Sequence, residues 1–150
     1  MPEDITFASV RGPALAGTID NPDGPARGWG LFLHGFTLGK QSPAAFRICR
    51  ALAEDGIGVL RYDALGLGES EGDWGDGSFT VKIADAVRAA EALAARGTPP
   101  ELLVGHSWGG AAAIIAAQHI PSVRAVVTIG APSDPSEVER SEERSCRERV

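Results

Sequence analysis

The chain has 150 residues, of which 43% are hydrophobic, and a formal net charge of −6 at pH 7. This length and composition predict one globular domain with a substantial core. The negative charge argues against nucleic acid and anionic membranes as partners, since both require a basic face. Because the sequence has neither a membrane-spanning apolar stretch nor a basic and then apolar leader, we expect a cytoplasmic protein.

The two cysteines form neither a disulfide framework nor a metal-ligand spacing. Cys49 falls within a predicted helix, and Cys146 lies in a polar segment near the end of the chain. Paired or clustered cysteines would be needed for a disulfide-stabilised fold or a zinc site. We therefore expect neither a disulfide framework nor a cysteine-ligated metal.

Strands and helices alternate along the chain. Strands are predicted at residues 5–10, 14–19, 29–33, 58–62, 101–104 and 125–129, and helices at 43–55, 80–96 and 108–120. The first two strands are separated by a short Gly-Pro turn and form an antiparallel hairpin. The later strands, including 125–129, are apolar runs typical of strands buried on both faces. This order predicts an α/β fold with a mostly parallel sheet.

The first predicted helix has clear end signals. Ser42 is placed to cap its start, with Pro43 in the first turn, and Gly56 is placed to end it. Its expected apolar stripe consists of Phe46, Cys49, Leu52 and Ala53.

The strongest local signal is the segment ELLVGHSWGGAAAII, residues 101–115, in which an apolar strand leads through a G-x-S-x-G turn into a helix. This pattern predicts a nucleophile elbow with Ser107 in strained or left-handed backbone. A Cβ at Gly105 or Gly109 would collide with the neighbouring turn, and Gly110 lets the helix pack closely. Chance alone would give such a pentapeptide in roughly one similar chain in six, so its strand-turn-helix context carries the prediction.

Three motifs together resemble the α/β-hydrolase superfamily, particularly its serine aminopeptidase-like and esterase-like branch. They are His34-Gly35-Phe36, the D-x-x-G-x-G-x-S run from Asp63 to Ser70, and the elbow at residues 105–110. The segments Phe36-Thr37, Gly39-Lys40, 66–68 and 124–132 are also similar to the hydrolase half of proteins that fuse this domain to an OsmC-like domain. The resemblance covers roughly residues 5–135 and implies an α/β-hydrolase fold.

The resemblance implies a serine nucleophile and an oxyanion hole. Ser107 would attack the substrate, while the backbone N–H groups of Phe36 and Trp108 would converge on the developing oxyanion. An alternative for Ser107 is a purely structural role as the cap of the following helix. His34, Gly35 and His106 would line the substrate site.

Neither of these two histidines is expected to be the general base. The sharp turn should direct His106 away from the neighbouring Ser107, and His34 resembles a residue that shapes the oxyanion loop. Asp63 is expected to be structural, tying its Gly-rich loop to nearby backbone.

The catalytic triad cannot be completed within this sequence. Only His119 follows Ser107, and by helical rise it lies roughly 18 Å away, beyond hydrogen-bond reach. Asp134 is either the triad acid or a turn residue in Pro132-Ser133-Asp134-Pro135. We therefore expect further strands, the acid and the histidine to lie beyond this chain.

The domain assignment is residues 1–136 as the N-terminal part of an α/β-hydrolase domain and residues 137–150 as a polar tail. This tail is either a solvated native segment or a non-native one that resembles translated adapter sequence.

Two functions remain possible from the sequence. One is a serine hydrolase that cleaves a small-molecule ester or amide through an acyl-enzyme on Ser107, without a metal or organic cofactor, incomplete here and inactive alone. The other is a non-catalytic binding domain that retains the fold. In either case the sheet would end in an open edge, so we expect poor solubility or self-association.

Overall fold

The structure, a computed structural model, describes residues 2–35 and 38–134. Its strands are β1 (Pro2–Ala8), β2 (Ala14–Asp20), β3 (Gly28–Leu33), β4 (Ile57–Tyr62), β5 (Leu102–His106) and β6 (Ala125–Ile129). Its α-helices are α1 (Pro43–Glu54), α2 (Phe79–Ala95) and α3 (Trp108–Ala116), and short 3-10 turns cover Trp74–Asp76 and Ala117–His119. None of these helices is long and apolar enough to cross a lipid bilayer.

The strands form one sheet in the order β1-β2-β4-β3-β5-β6. β1 pairs with β2 and β2 pairs with β4 in antiparallel register, whereas β4, β3, β5 and β6 are all parallel. This arrangement confirms the predicted α/β-hydrolase fold class, with a mostly parallel sheet and an N-terminal antiparallel hairpin. The first strand begins earlier than predicted, because Pro2 to Asp4 also pair with β2.

The predicted limits of α1 are confirmed at both ends. Oγ of Ser42 accepts a hydrogen bond from the backbone N–H of Ala45, and Gly56 follows the helix with a φ of 87°. A positive φ after the last turn is the conformation that glycine adopts most easily.

The two faces of the sheet carry different layers. α1 lies on one face, where its buried side chains pack in a cluster made of Phe32, Ala45, Cys49, Val59 and Val104. α2 and α3 lie on the other face over the larger apolar cluster. Phe46, predicted in the buried stripe of α1, is instead largely exposed, because Ala45, Cys49 and Ala53 face the sheet at intervals of four residues.

The predicted burial of β6 is wrong. Its five residues were expected to be buried on both faces, yet all five are exposed in the described part of the chain. Among the described strands, β6 is at the edge of the sheet and pairs only with β5. The apolar run therefore identified a strand correctly but did not reveal its position at the edge of the described sheet.

Candidate active site

The three sequence motifs come together at one edge of the sheet. β4, β3 and β5 are adjacent and parallel, so the loops that follow Leu33, Tyr62 and His106 all leave the same edge. In open α/β sheets ligands bind at this carboxyl-terminal edge. The fold therefore brings His34-Gly35, the loop after Asp63 and Ser107 into one region.

Ser107 has the strained backbone that the elbow pattern predicts. Its φ is 54° and its ψ is −121°, and among the described residues it is the only non-glycine residue with positive φ. Its N–H donates to the carbonyl of Ile129 at 2.7 Å, and its own carbonyl accepts from the N–H of Gly110 at 2.9 Å. Such strain persists only where the surrounding structure holds it in place.

The hydroxyl of Ser107 does not cap the helix that it begins. Ser107 occupies the N-cap position of α3, but its side chain makes no capping hydrogen bond and is only partly buried. A serine that served to satisfy the free N–H groups of a helix would make that bond. The geometry argues against the purely structural alternative for Ser107.

The glycines around Ser107 are required by close packing of backbone on backbone. A Cβ at Gly105 would meet the carbonyl of Gly109, and a Cβ at Gly109 would meet the carbonyls of Leu33 and His34. A Cβ at Gly110 would lie 2.9 Å from the Cβ of Ala131 and 3.2 Å from the Cβ of Thr128. These contacts explain why the first turn of α3 can sit directly against the end of β3.

The loop after β3 approaches Ser107 closely. A Cβ at Gly35 would lie 3.4 Å from the Cβ of Ser107. Phe36, the next residue and an expected oxyanion donor, lies outside the described residues. Trp108 is the first residue of α3, so its backbone N–H lies at the positive end of the helix dipole. The convergence of the two N–H groups stays a prediction.

His34 is engaged within the protein through both ring nitrogens. Nε2 accepts from the N–H of Ala64 at 2.9 Å, and Nδ1 lies 2.6 Å from the carbonyl of Gly35. The ring is buried, and this burial, together with the charge of Lys82, lowers the pKa of His34 to about 3, against the opposing effect of its hydrogen bond to Gly35. A neutral ring held in this way joins two loops and has no nitrogen available to act as a base.

The prediction that neither of the other two histidines is the base is consistent with where they lie. His106 lies opposite Ile129 in the sheet, and by strand alternation it shares a face with Val104, which packs against α1. Its Nδ1 is buried without a hydrogen-bond partner among the described residues. His119 ends the 3-10 turn beyond α3, a helix that spans about 13 Å from the elbow.

Asp63 holds the Gly-rich loop in place, as expected from the sequence. Its Oδ1 accepts from the N–H of Lys40 at 2.8 Å, and its Oδ2 accepts from the N–H of Glu69 at 3.0 Å. It therefore links the loops that follow β3 and β4. The buried Arg61 strengthens this link because it donates to the carbonyl of Lys40 and forms a 2.7 Å ion pair with Asp20.

Two buried charged residues near the site were not identified from the sequence. Nζ of Lys82 lies 5.5 Å from the centre of the Trp108 ring, and the carboxylate of Asp85 accepts hydrogen bonds from the hydroxyl of Ser9 and the N–H of Val10. Burial lowers the pKa of Lys82 to about 8, although the charge of Asp85 opposes this change. The available signal was helical spacing, since both residues share the buried side of α2 with Ala86 and Ala89.

The remaining candidates give less information about chemistry. Asp134 is exposed just after β6, and residues 135–150, including the polar tail and Cys146, lie outside the described part of the chain. Within residues 2–35 and 38–134, no group of three His, Cys, Asp or Glu side chains could hold a metal ion.

A cleft of about 410 Å³ lies at the amino-terminal ends of the parallel strands, where Trp29, Leu102 and Arg124 contribute to its lining. The length of β5, roughly 16 Å, separates this cleft from Ser107, so the cleft is distinct from the candidate active site.

Comparison with known proteins agrees with the fold. Residues 31–145 match the family model described as alpha/beta hydrolase fold. The esterase domain from a Rhodothermus marinus protein is 40% identical, with a TM-score of 0.74 over 93% of this chain and 54% of that chain. A comparison with curated protein sequences finds no match.

More distant solved structures show the fold alone. The α/β hydrolase GrgF from Penicillium sp. sh18 is 22% identical, with a TM-score of 0.79 over 99% of this chain and 54% of that chain. The Pyrococcus furiosus esterase Pf2001 is 19% identical, with a TM-score of 0.76 over 88% of this chain and 52% of that chain. This chain spans about half the length of these solved structures, and it belongs to the α/β-hydrolase fold family.

Proposed function

We propose that this chain is part of a serine hydrolase that cleaves a small-molecule ester or amide through an acyl-enzyme on Ser107. The observation that carries the proposal is the strained, uncapped Ser107 at the start of α3. Strain of this kind is stored at functional sites, and a serine whose hydroxyl is not used by the helix is available for attack.

The surroundings of Ser107 support stabilisation of an oxyanion. The start of α3 directs backbone N–H groups and the positive end of the helix dipole toward the region beside Ser107. Gly35 brings the loop that leads to Phe36 against the serine. In the proposed reaction the N–H groups of Phe36 and Trp108 donate to the carbonyl oxygen as it becomes negative.

The proposed chemistry has two steps. Oγ of Ser107 forms a bond to the carbonyl carbon and gives its proton to a general base, and the alcohol or amine leaves with a proton to form the acyl-enzyme. Water then attacks the acyl group by the same route and restores the serine. His34, Gly35 and His106 border this region, with His34 acting through the loop that it joins.

The base is proposed to come from a part of the protein beyond the described residues. Both nitrogens of His34 are engaged, and His119 is separated from Ser107 by the length of α3. The chain by itself would therefore have little or no esterase activity. In the proposed whole protein, further strands supply the acid and the histidine, an OsmC-like domain follows, and the location is cytoplasmic.

The substrate class is supported by the esterase domain that is 40% identical to this chain. The resemblance concerns about half of that structure, so the proposal extends to esters or amides as a class and not to a particular compound.

The test is covalent labelling of the purified chain with a fluorophosphonate, with the modified residue identified by mass spectrometry. We expect Ser107 to be modified at least ~10-fold faster than the other serines, because an oxyanion hole accelerates attack even without a base. Its rate should still be slow compared with that of a complete serine hydrolase. Hydrolysis of p-nitrophenyl acetate should stay far below ordinary enzyme rates.

The matched controls are Ser107→Ala and Ser133→Ala, because Ser133 is an exposed serine in the loop just after β6. Only Ser107→Ala should remove the label. If Ser107 reacts no faster than the other serines, the proposed nucleophile and oxyanion hole are contradicted, and a binding domain that retains the fold becomes the better proposal. Rapid turnover that disappears in Ser107→Ala would instead show that a base is present in this chain.

A further inference from the structure

Lys82 is a buried cation without an ion-pair partner in the described part of the chain. Its side chain is 5% exposed, and its Nζ forms neither a hydrogen bond nor a salt bridge with a described residue. Asp85 acts on Lys82 through its charge, while the carboxylate itself is bonded to Ser9 and Val10. An unpaired ammonium in a dry interior opposes folding. Folding stability therefore does not account for this lysine, and groups buried at such a cost concentrate at functional sites.

The ammonium of Lys82 faces the side chain that follows the elbow serine. Nζ lies 5.5 Å from the centre of the Trp108 ring, which is within the range of cation–π attraction. The ring of Phe79 lies 5.5 Å from the same indole at an interplanar angle of 45°. The start of α2 thus holds the first side chain of α3. Because Trp108 directly follows Ser107, this contact joins α2 to the elbow.

Positive potential is concentrated where the two helices begin. Lys82 lies in the first turn of α2 and faces the first residue of α3, so the positive ends of two helix dipoles accompany the ammonium. α3 contains no acidic residue, and the acidic group that acts on Lys82 is Asp85. This arrangement is complementary to a negative charge. In the proposed reaction, a negative charge develops beside Ser107.

The ionisable groups around Lys82 come from α2 itself and from the strands beneath it. Burial lowers the pKa of Lys82 to about 8, so this group changes charge just above neutral pH. Burial, followed by the charge of Lys82, lowers the pKa of His34 to about 3, so its ring stays neutral there. Burial raises the pKa of Tyr62 and of Asp85. The acidic residues of β1 are engaged elsewhere: Glu3 pairs with Arg96, and Asp4 accepts a hydrogen bond from Thr18.

We propose that Lys82 is a positioning residue of the serine hydrolase, whose protonated side chain holds the Trp108 ring and adds positive potential at the N–H that Trp108 donates to the oxyanion. The inference rests on the proposed function, since it assumes that Ser107 is the nucleophile. The effect passes through Trp108 and needs no contact between Lys82 and the substrate. Loss of the proton from Lys82 should therefore slow the attack of Ser107, although it relieves the cost of burying a charge.

The experiment measures the rate at which a fluorophosphonate modifies Ser107 in the 150-residue chain. In this reaction Oγ bonds to phosphorus, fluoride leaves, the hydroxyl proton passes to solvent, and negative charge develops on the phosphoryl oxygen. Lys82→Met should lower the rate about 10-fold at about pH 7, where the natural lysine is protonated. At about pH 9.5, where the lysine is neutral, the loss should be less than about 2-fold.

Two further variants separate charge from packing. Lys82→Arg should react about 10-fold faster than Lys82→Met at both pH values, because arginine stays charged. Arg88→Met is the matched control, since it removes a cation from the exposed side of the same helix and should keep the natural rate. A loss in Lys82→Met that is equal at both pH values would assign Lys82 to packing and overturn the proposal. The absence of a loss, or an arginine variant as slow as Lys82→Met, would overturn it as well.

A second measurement depends neither on the folding of the lysine variants nor on the reactivity of Ser107. The Nε1–H resonance of Trp108, identified by its loss in Trp108→Phe, is followed by NMR in the natural chain from about pH 6 to about pH 10. It should shift with a midpoint near pH 8, because the ammonium that faces the ring titrates there. A resonance that does not titrate would overturn the proposal.

The two measurements also distinguish this inference from the proposed function. If Ser107 is labelled no faster than the other serines, the proposed function is contradicted and the role of Lys82 falls with it, even where the Trp108 resonance titrates. If Ser107 is labelled selectively but the rate does not respond to Lys82, the role of Lys82 alone is contradicted.

Discussion

Each of the three α-helices in the described residues begins at a serine, and the third serine is held differently from the first two. Ser42 and Ser78 have extended ψ values of 151° and 174°, and each hydroxyl accepts an N–H bond from the residue three positions later. Ser107 has a φ of 54°, and its hydroxyl makes no such bond. The same residue type thus stabilises two helix starts and leaves a hydroxyl available at the third.

The surroundings of each helix start explain the difference. The second residue of α1 is Ala44 and that of α2 is Thr80, so these starts have room for a side chain. The second residue of α3 is Gly109, which packs against the carbonyls at the end of β3. Tight packing forces the chain into a sharp turn at Ser107, and this turn moves the hydroxyl out of the capping position.

The largest expected effect on stability comes from filling the space at Gly109. Gly109→Ala should lower the free energy of unfolding by about 3 kcal/mol, because a Cβ there collides with backbone that cannot move away cheaply. Gly97→Ala is the control, since Gly97 has a φ of 82° but no atom lies within 4 Å of the position that a methyl group would take there. It should cost about 1 kcal/mol. Urea unfolding of both variants checks the prediction, and equal losses would contradict the packing argument.

We expect the free energy of unfolding to depend on pH through Lys82, which lies where the starts of α2 and α3 meet. Lys82, in the first turn of α2, faces the ring of Trp108, and its charge also acts on Asp85 and His34. Burial lowers its pKa to about 8 from an ordinary value of 10.5. Between pH 8 and 10.5, Lys82 is therefore protonated in the unfolded chain but not in the folded chain. As a result, the free energy of unfolding falls as the pH is lowered from about 10.5 to 8.

Lys82→Met should remove this dependence while keeping a side chain of similar length. The stability of the variant relative to the natural chain should be greater at pH 8 than at pH 10, as measured by urea unfolding at both values. Lys82→Arg, which keeps a charge, should show no such gain. If the difference in free energy of unfolding between Lys82→Met and the natural chain is the same at both pH values, the assignment of a lowered pKa to Lys82 is contradicted.

Replacement of serine by glycine should have opposite signs at two helix starts. Ser107→Gly should stabilise the chain by about 1 kcal/mol, because glycine adopts a positive φ without steric strain. Ser78→Gly should destabilise it by a few tenths of a kcal/mol through the lost capping bond. The free energies of unfolding in urea provide the comparison, and a loss of stability in Ser107→Gly would argue against stored strain.

Replacement of serine by alanine isolates the capping bond. Ser42→Ala and Ser78→Ala should each cost about 1 kcal/mol, since each removes the acceptor for a helix N–H group. Ser107→Ala should leave stability nearly unchanged because its hydroxyl makes no capping bond. Thermal unfolding of the three variants would show the contrast, and a loss in Ser107→Ala equal to the others would return Ser107 to a structural role.

The sequence determined the elements of this protein and the turn at Ser107. Apolar runs and helix end signals placed the strands and α-helices of the described residues near their observed positions, because these features depend on residues close together in the chain. The glycines that flank Ser107 predicted its strained backbone for the same local reason. The role of Asp63 as a link between loops was also readable from its turn-rich context.

The tertiary structure decided which of these residues are covered and which charges meet. The apolar run of β6 was predicted to be buried but is exposed in the described structure. Burial of a strand depends on which strands and helices pack against it, and a local sequence pattern does not contain that information. The contacts of Arg61 with Asp20 and of Asp85 with Ser9 join residues 41 and 76 positions apart. Burial of charge is stabilised by such distant partners, so it follows from the packing of the whole sheet and not from any single segment.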